Sequence, residues 1–186
     1  MMKRVTALLL AAMMMVTVCA CGNTSGTASE NKKETESVQI ANPWTDCTSL
    51  AEAEGIAGFP FCFGETLCEG AYQVQTYRAM EAMIDVSYSA NGSDFTIRQA
   101  ADNGEDQSGD YTTYTQVVDI AGENLSFTAS GEENYFYLAT FTYEGMYYAI
   151  YFDNGFALAD IADLIGEMSG DSFEEAYSAE YEVDAE

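Results

Sequence analysis

The stretch that most constrains the fold of this chain runs from Tyr135 to Phe152. Aromatic and β-branched residues flank a two-residue link, Glu144-Gly145, and this pattern is typical of a β-hairpin whose glycine supplies the positive φ of a tight turn. If Tyr143 pairs with Met146, the cross-strand pairs are Phe141 with Tyr148, Ala139 with Ile150 and Tyr137 with Phe152. Because side chains alternate along a strand, these eight side chains share one face, which we expect in the core.

The residues around the hairpin predict a single α+β domain over 42–170. Ser49, followed three residues later by Glu52, is a capping-box signature, so we expect a helix that begins near Leu50 and ends at Gly58. Apolar residues at helical spacing predict a last helix that ends by Gly170. Between the helices we expect a curved antiparallel meander of about seven strands, formed by Tyr72–Tyr77, Ala79–Tyr88, Phe95–Ala100, Tyr114–Ile120, Leu125–Ala129 and the two arms of the hairpin.

The strand pattern also assigns faces. Alternation over Ala79–Tyr88 predicts Met80, Ala82, Ile84, Val86 and Tyr88 on the inward side, with Glu81, Asp85 and Ser87 outward. Asn91-Gly92 is a turn pair, after which the chain should return antiparallel with Phe95 and Ile97 on one face.

The first twenty residues have the pattern of a bacterial lipoprotein signal peptide. Lys3 and Arg4 precede Val5–Val18, which is uncharged, mostly apolar and short for a membrane span. The following Val18-Cys19-Ala20-Cys21 resembles a lipobox, in which Cys21 is the acylated residue; the alternative is an ordinary secretory signal. We expect Cys21 to anchor the protein on the outer face of the bacterial cytoplasmic membrane, in the extracytoplasmic space.

Polar segments flank the predicted domain. Residues 21–41 are dominated by Gly, Asn, Thr, Ser, Glu and Lys, which is typical of a disordered tether. Residues 171–186 are acidic, and we expect a tail there, although Phe173, Tyr177 and Tyr181 have the spacing of a frayed helix.

Charge excludes one class of partner. All 31 acidic residues lie after residue 29, whereas the cations after Cys21 are Lys32, Lys33, Arg78 and Arg98, so the mature chain has a net charge of −27. Phosphate contacts need Lys and Arg, and we therefore expect no nucleic acid partner. An anionic bilayer would also repel this surface, so the acyl chain must hold the protein to the membrane.

Residue types also limit the chemistry. The chain has no histidine, which excludes Ser-His-Asp and Cys-His hydrolases and His-ligated zinc. Beyond the lipobox, Cys47, Cys62 and Cys68 form no Cys-x-x-Cys pair, so neither a zinc knuckle nor a thioredoxin-like site is predicted. Cys62 and Cys68 could close a disulfide in an oxidising compartment, or all three could be buried free thiols.

The loop at residues 101–111 contains the one local cluster of hard oxygen ligands. Asp102, Glu105, Asp106 and Asp110 are weak candidates for calcium, since their spacing is not that of a calcium-binding loop. A structural turn is the favoured interpretation, and no metal or other cofactor is predicted. Alternatively, Arg98 or Arg78 could pair with Asp106 or Asp110 and pin the loop to the sheet.

The second face of the hairpin is the candidate binding surface. Phe136, Tyr147 and Tyr151 are expected there, and tyrosines are enriched at interfaces because they combine apolar area with a polar tip. The alternative is that a terminal helix covers this face with Leu158, Ile161 and Ile165, since each large side chain gains ~1.5–3 kcal/mol from burial.

Seven segments within about residues 42–168 carry a resemblance to a known family: Asn42-Pro43-Trp44, Ser49–Glu54, Ala57-Gly58-Phe59, Ile97–Ala100, Glu105–Tyr111, Leu138–Phe141 and Gly145–Ile150. They resemble a family of uncharacterised bacterial lipoprotein domains, catalogued as a domain of unknown function. The family usually has Lys, Ile and Trp where this chain has Gln99, Gln107 and Phe141. The resemblance implies a secreted or lipid-anchored domain and no known chemistry.

Together these features predict a membrane-anchored, non-enzymatic module that binds an unknown protein or small molecule. Two other functions, each of a different kind, are the alternatives. One is a carrier that holds an apolar ligand between sheet and helices. The other, less favoured, is a hydrolase that uses paired carboxylates and needs no histidine.

Overall fold

Two helices and nine strands make up the described part of the chain, residues 42–174 and 176 of a computed structural model. The helices are α1, Leu50–Ala57, and α2, Leu158–Ser169. The strands are β1 Thr45–Cys47, β2 Thr66–Leu67, β3 Tyr72–Met80, β4 Met83–Ala90, β5 Ser93–Ala101, β6 Gln116–Ala121, β7 Ser126–Glu132, β8 Tyr135–Tyr143 and β9 Met146–Phe156. The predicted signal peptide, the tether and the end of the acidic tail lie outside these residues.

The strands form one antiparallel sheet, as the α+β prediction requires. Its order is β1-β3-β4-β5-β9-β8-β7-β6, and β2 pairs with β3 outside this path. The two strands beyond the predicted seven are the short β1 and β2. The prediction of a single meander is wrong, because β5 pairs with β9 rather than with β6. Two meanders, β3–β5 and β6–β9, are therefore joined side by side.

This strand order dictates the path of residues 102–115, which we call the crossover loop. The loop leaves β5 in the middle of the sheet and must reach β6 at its edge, so it passes over β9, β8 and β7. It contains no helix or strand, and it crosses the face opposite the two helices.

Both helices end as the sequence predicts. Ser49 caps α1 by accepting a hydrogen bond from the Glu52 backbone N–H, and the Glu52 carboxylate accepts from Thr48. Gly58 and Gly170 follow α1 and α2 with φ of 86° and 69°. Only glycine adopts this left-handed conformation without steric cost, so these residues stop the helices where they do.

The hairpin of β8 and β9 has the predicted register over most of its length. Tyr143 pairs with Met146 and Ala139 with Ile150. The predicted pairing of Tyr137 with Phe152 is wrong, because a bulge between Phe136 and Leu138 shifts the register. An inserted residue reverses the alternation of side chains.

Residues 79–88 are not one strand. The chain turns at Glu81 and Ala82, between the paired Met80 and Met83, and Ala82 has a φ of 61°. Positive φ is uncommon for alanine, so the sequence gives no signal of this turn. The Asn91-Gly92 turn, in contrast, is confirmed by the pairing of Ala90 with Ser93.

One face of the sheet forms the main core with both helices. Its large side chains are almost fully buried and come from the central strands, from α2 and from the segment that follows α1. They include Phe61, Phe63, Ile84, Val86, Tyr88, Phe95, Ile97, Phe127, Phe141, Tyr148, Ile150, Ile161 and Ile165.

The folded part extends beyond the predicted boundary at residue 170. The Asp171 carboxylate accepts hydrogen bonds from the backbone N–H groups of residues 123–125, which closes the β6–β7 turn. Phe173 is 1% exposed, and its ring centroid lies 5.1 Å from that of Phe127. A Cβ at Gly122 would lie 2.6 Å from the Phe173 ring, so this glycine makes room for the aromatic side chain.

We expect Phe173→Ala to lower the free energy of unfolding by about 3–5 kcal/mol, the usual cost of emptying a buried phenylalanine site. Chemical denaturation of the full chain measures this change. Tyr111→Ala is the matched control, since Tyr111 is 95% exposed and its truncation should change stability by no more than about 0.5 kcal/mol. Equal stabilities of the two variants would show that residue 173 is not part of the core.

Candidate functional site

Three charged side chains lie side by side on neighbouring strands of the face that the crossover loop covers. Arg78 of β3 pairs with Asp85 of β4, and Asp85 pairs with Arg98 of β5. We call this row the arginine ladder. Arg78 and Arg98 are the only basic residues after Lys33, so every cation of the described domain belongs to it.

A single buried carboxylate holds both arginines. The Asp85 side chain is 1% exposed. Arg98 donates from Nε to Oδ1 at 2.8 Å and from Nη2 to Oδ2 at 2.9 Å, a bidentate pair. Arg78 donates from Nε and Nη2 to Oδ2, at 3.1 and 2.7 Å. The alternation of side chains predicts Asp85 on the outward side. The residue does lie on the face away from the main core, but it is buried there and bonded to both arginines.

Aromatic rings flank the ladder. The guanidinium carbons of Arg78 and Arg98 lie 4.7 and 5.0 Å from the ring centroid of Trp44, and that of Arg98 lies 5.4 Å from Tyr151. The short strand β1 brings Trp44 here, since its pairing of Asp46 with Arg78 sets the preceding residues beside β3. Cation–π attraction is strengthened where the pair is shielded from water.

Arg98 also fixes the crossover loop. Its Nη1 donates to the backbone carbonyls of Gln107 and Ser108 at 3.2 and 2.5 Å, and the Tyr151 hydroxyl donates to the same Ser108 carbonyl. An arginine therefore pins the loop to the sheet, as the sequence analysis allowed. Its partners in the loop are main-chain carbonyls and not the predicted Asp106 or Asp110.

A pocket of about 330 Å³ lies between the ladder and the loop. Its lining combines both arginines, one carboxylate, one aromatic ring and small polar residues: Arg78, Thr96, Arg98, Ser108, Gly109, Asp110 and Tyr151. The side chains of Arg78 and Arg98 are 47% and 12% exposed, so Arg78 is the cation that solvent reaches.

The three aromatic residues predicted as a binding surface do not share a face. Phe136 packs in the main core and is 2% exposed, because the bulge in β8 reverses its direction. Tyr147 and Tyr151 lie on the other face, next to Ala100, Leu138 and Ala149. The crossover loop, and not a terminal helix, covers them: the Tyr147 hydroxyl donates to Asp106 Oδ1 at 2.6 Å.

The three aspartates of the loop, Asp102, Asp106 and Asp110, each accept local hydrogen bonds. Asp102 and Asp106 accept from the backbone N–H groups two residues further on. Asp110 does the same with Thr112 and also accepts from the Tyr114 hydroxyl at 2.6 Å. Within residues 42–174 and 176, no three acidic or cysteine side chains converge as a metal site would require. The weak calcium prediction gains no support from this geometry.

The contacts of the loop change the acidity of its carboxylates. Burial acts to raise the pKa of Asp106, but the hydrogen bonds from Tyr147 and Ser108 outweigh it and lower the pKa below its ordinary value of 3.8. Burial raises the pKa of Tyr114 to about 12, and the hydrogen bond to Asp110 is the second largest cause. Burial likewise raises the pKa of Tyr147 and Tyr151 well above the ordinary range, so these tyrosines are protonated donors at neutral pH.

Three cysteines of the described chain are free thiols: Cys47, Cys62 and Cys68. Cys62 is exposed, and its Sγ accepts a hydrogen bond of 2.9 Å from the buried Tyr148. Gln99 holds the same segment to the sheet through Pro60 and Cys62. Burial raises the pKa of Cys68 to about 11, so its thiol is protonated and a weak nucleophile.

Comparisons of the chain with family models, with curated proteins and with solved structures give no match. The resemblance to a family of lipoprotein domains stays a prediction. Over the described residues, no helix is both long and apolar enough to cross a membrane, and Cys21 lies outside those residues.

We expect Arg98→Ala to lower the free energy of unfolding by about 3–5 kcal/mol, because it removes the bidentate partner of a buried carboxylate. Arg78→Ala is the matched comparison. It removes the half-exposed partner of the same carboxylate, so its cost should be clearly smaller. Thermal and denaturant melts of both variants measure the difference, and an unchanged melt of Arg98→Ala would refute the structural role of this residue.

The lowered pKa of Asp106 predicts a pH-dependent contribution from Tyr147. Because this pKa is lower in the folded than in the unfolded chain, the contact stabilises the fold fully above the unfolded-state pKa and is lost as the pH falls through the folded-state value. Tyr147→Phe should therefore cost about 1 kcal/mol at neutral pH, a modest value because the carboxylate is partly exposed.

The free energy of unfolding as a function of pH measures this contribution. The gap between the wild-type protein and Tyr147→Phe should narrow as the pH falls below about 4. Tyr111→Phe, at an exposed position of the same loop, should match the wild-type protein at every pH. A gap that stays constant down to acidic pH would contradict the assigned contact.

Proposed function

We propose that this protein is a lipid-anchored extracytoplasmic domain that binds a ligand in the pocket at the arginine ladder and catalyses no reaction. The single observation that carries the binding role is the convergence of both arginines of a strongly acidic domain on one open pocket. Ligand sites are typically concave and contain a few placed polar groups, and this pocket has that composition.

The anchor rests on the sequence. A positive start, a short apolar stretch and the lipobox-like Val18–Cys21 supply the acyl anchor, and the polar residues that follow supply a spacer. The negative charge of the mature chain favours an anchor of this kind, because the protein surface itself would not adhere to anionic lipid.

The state of the polar groups supports binding rather than catalysis. A general acid or base must be free to exchange a proton with substrate, but Asp85 already accepts four hydrogen bonds from two arginines. The pocket tyrosine is held protonated. A permanently charged guanidinium is suited to recognition, since it cannot give up its proton.

The alternative of an apolar carrier gains less support. Its ligand would lie between the sheet and the helices, and large side chains that are less than 2% exposed occupy that space, including Tyr88, Phe95, Tyr148, Ile161 and Ile165. The pocket at the ladder lies on the other face of the sheet, and most of its lining residues are charged or polar.

The anchor is tested by a pair of cysteine variants of the full chain in a bacterial host. We expect Cys21→Ser to abolish the mass of a diacylated N-terminal peptide and to move the protein out of the membrane fraction. Cys19→Ser is the matched control and should keep both properties, because it leaves Ala20-Cys21 intact. Protease treatment of spheroplasts should degrade the wild-type domain.

Two results would contradict the proposal. One is a membrane fraction of Cys21→Ser equal to that of the wild-type protein. The other is a wild-type domain that resists the protease until the cells are lysed.

A further inference from the structure

We propose that the pocket binds the carboxylate of a small organic acid through the outward edge of the Arg78 guanidinium. This inference depends on the proposed binding function and adds the chemical class of the ligand. It rests on the different use that the two arginines make of their donors, on the charge balance at the ladder and on the size of the pocket.

The two arginines differ in which donors are engaged. Arg98 uses all three of its side-chain nitrogens, two on Asp85 and the third on the loop carbonyls. Arg78 uses only Nε and Nη2, both on Asp85 Oδ2. Within the described residues no acceptor contacts Arg78 Nη1. Two parallel N–H groups, one on Nη1 and one on Nη2, therefore form an unused fork.

This fork has the geometry that a carboxylate needs. Guanidinium and carboxylate groups are both planar, and their two parallel hydrogen bonds are stronger and more directional than contacts to a point charge. Asp85 already holds the inner edge of the Arg78 guanidinium, and the Trp44 ring lies against the same group. Little side-chain entropy is lost on binding, and this preorganisation favours affinity.

Charge balance favours an anion with a single charge. Two arginines and the one carboxylate of Asp85 leave one unit of positive charge at the ladder. Asp110 also lines the pocket, and the rest of the domain is strongly acidic. Each further negative charge on a ligand would be repelled by these groups. A monocarboxylate is therefore preferred to a doubly charged phosphate.

The pocket sets the size of the rest of the ligand. A volume of about 330 Å³ is at the small end of the range for ligand pockets, about 300–1,000 Å³. The Tyr151 ring and the side chain of Thr96 can contact a short aliphatic group. A small organic acid fits these limits.

Trp44 makes the site directly observable, because it is the only tryptophan of the chain and its ring contacts Arg78. We would titrate the purified full-length protein in detergent with propionate and record tryptophan fluorescence at constant ionic strength. Propionamide is the neutral isostere, and inorganic phosphate is the competing anion. We expect a saturable response to propionate, no saturable response to propionamide and weaker binding of phosphate.

Three variants test the residues. Arg78→Lys keeps the charge but loses the fork, and we expect propionate to bind about tenfold more weakly or worse, as is usual for the loss of a charge-assisted hydrogen bond. Asp110→Asn should strengthen binding by removing a repelling carboxylate. Glu133→Gln makes the same change of charge at an exposed turn and should alter affinity less. Thermal melts show that each variant is folded.

Any one of four results would overturn the inference. These are no saturable response to propionate, an equal response to propionamide, tighter binding of phosphate, or unchanged propionate affinity in folded Arg78→Lys. None of them bears on the lipid anchor, because the Cys21→Ser and Cys19→Ser pair is read out by membrane fractionation. Loss of the anchor would in turn leave the propionate titration unaffected.

Discussion

The fold depends on one buried carboxylate, that of Asp85, held between the two arginines of the domain. A charge removed from water is costly unless it is paired and fully hydrogen-bonded, and both Asp85 oxygens are bonded to guanidinium groups. The arrangement makes Arg98 a structural cation and leaves Arg78 partly exposed. In this strongly acidic domain, both arginines bind the same carboxylate, and Arg98 also holds the crossover loop against that face of the sheet.

The order of the strands places the crossover loop on that face of the sheet. The second meander joins the first through β9, so the chain between β5 and β6 must cross the sheet. Residues 102–115 have no helix or strand of their own, and they bury Tyr147 and Ala149. Hydrogen bonds from Arg98, Tyr147 and Tyr151 hold them in place. The pocket exists because this loop is fixed above the ladder at a distance that leaves space.

Much of this architecture could be predicted from local sequence signals, and the rest could not, for physical reasons. The Asn91-Gly92 turn fixes the register of β4 and β5, so counting from it places Asp85 opposite Arg98. Arg78 could not be added by the same reasoning, because the turn at Glu81-Ala82 has an alanine at positive φ and no glycine or asparagine to mark it. The pairing of β5 with β9 is non-local, and no local pattern encodes it. The sequence does not reveal the ladder, because Ala79–Tyr88 has the alternating pattern of one strand, in which Asp85 is an outward residue and Arg78 has no defined partner.

The hydrogen bonds from Arg98 to Asp85 and to the loop carbonyls imply that Asp85 fixes the crossover loop through Arg98. Amide hydrogen exchange of the Asp85→Asn variant tests it most directly, since exchange reports the opening of individual segments. We predict faster exchange across residues 102–115, while the amides of the β8–β9 hairpin keep the protection that they have in the wild-type protein. Unchanged protection of the loop in this variant would contradict this role of Asp85, because the loop would then be held without the buried carboxylate.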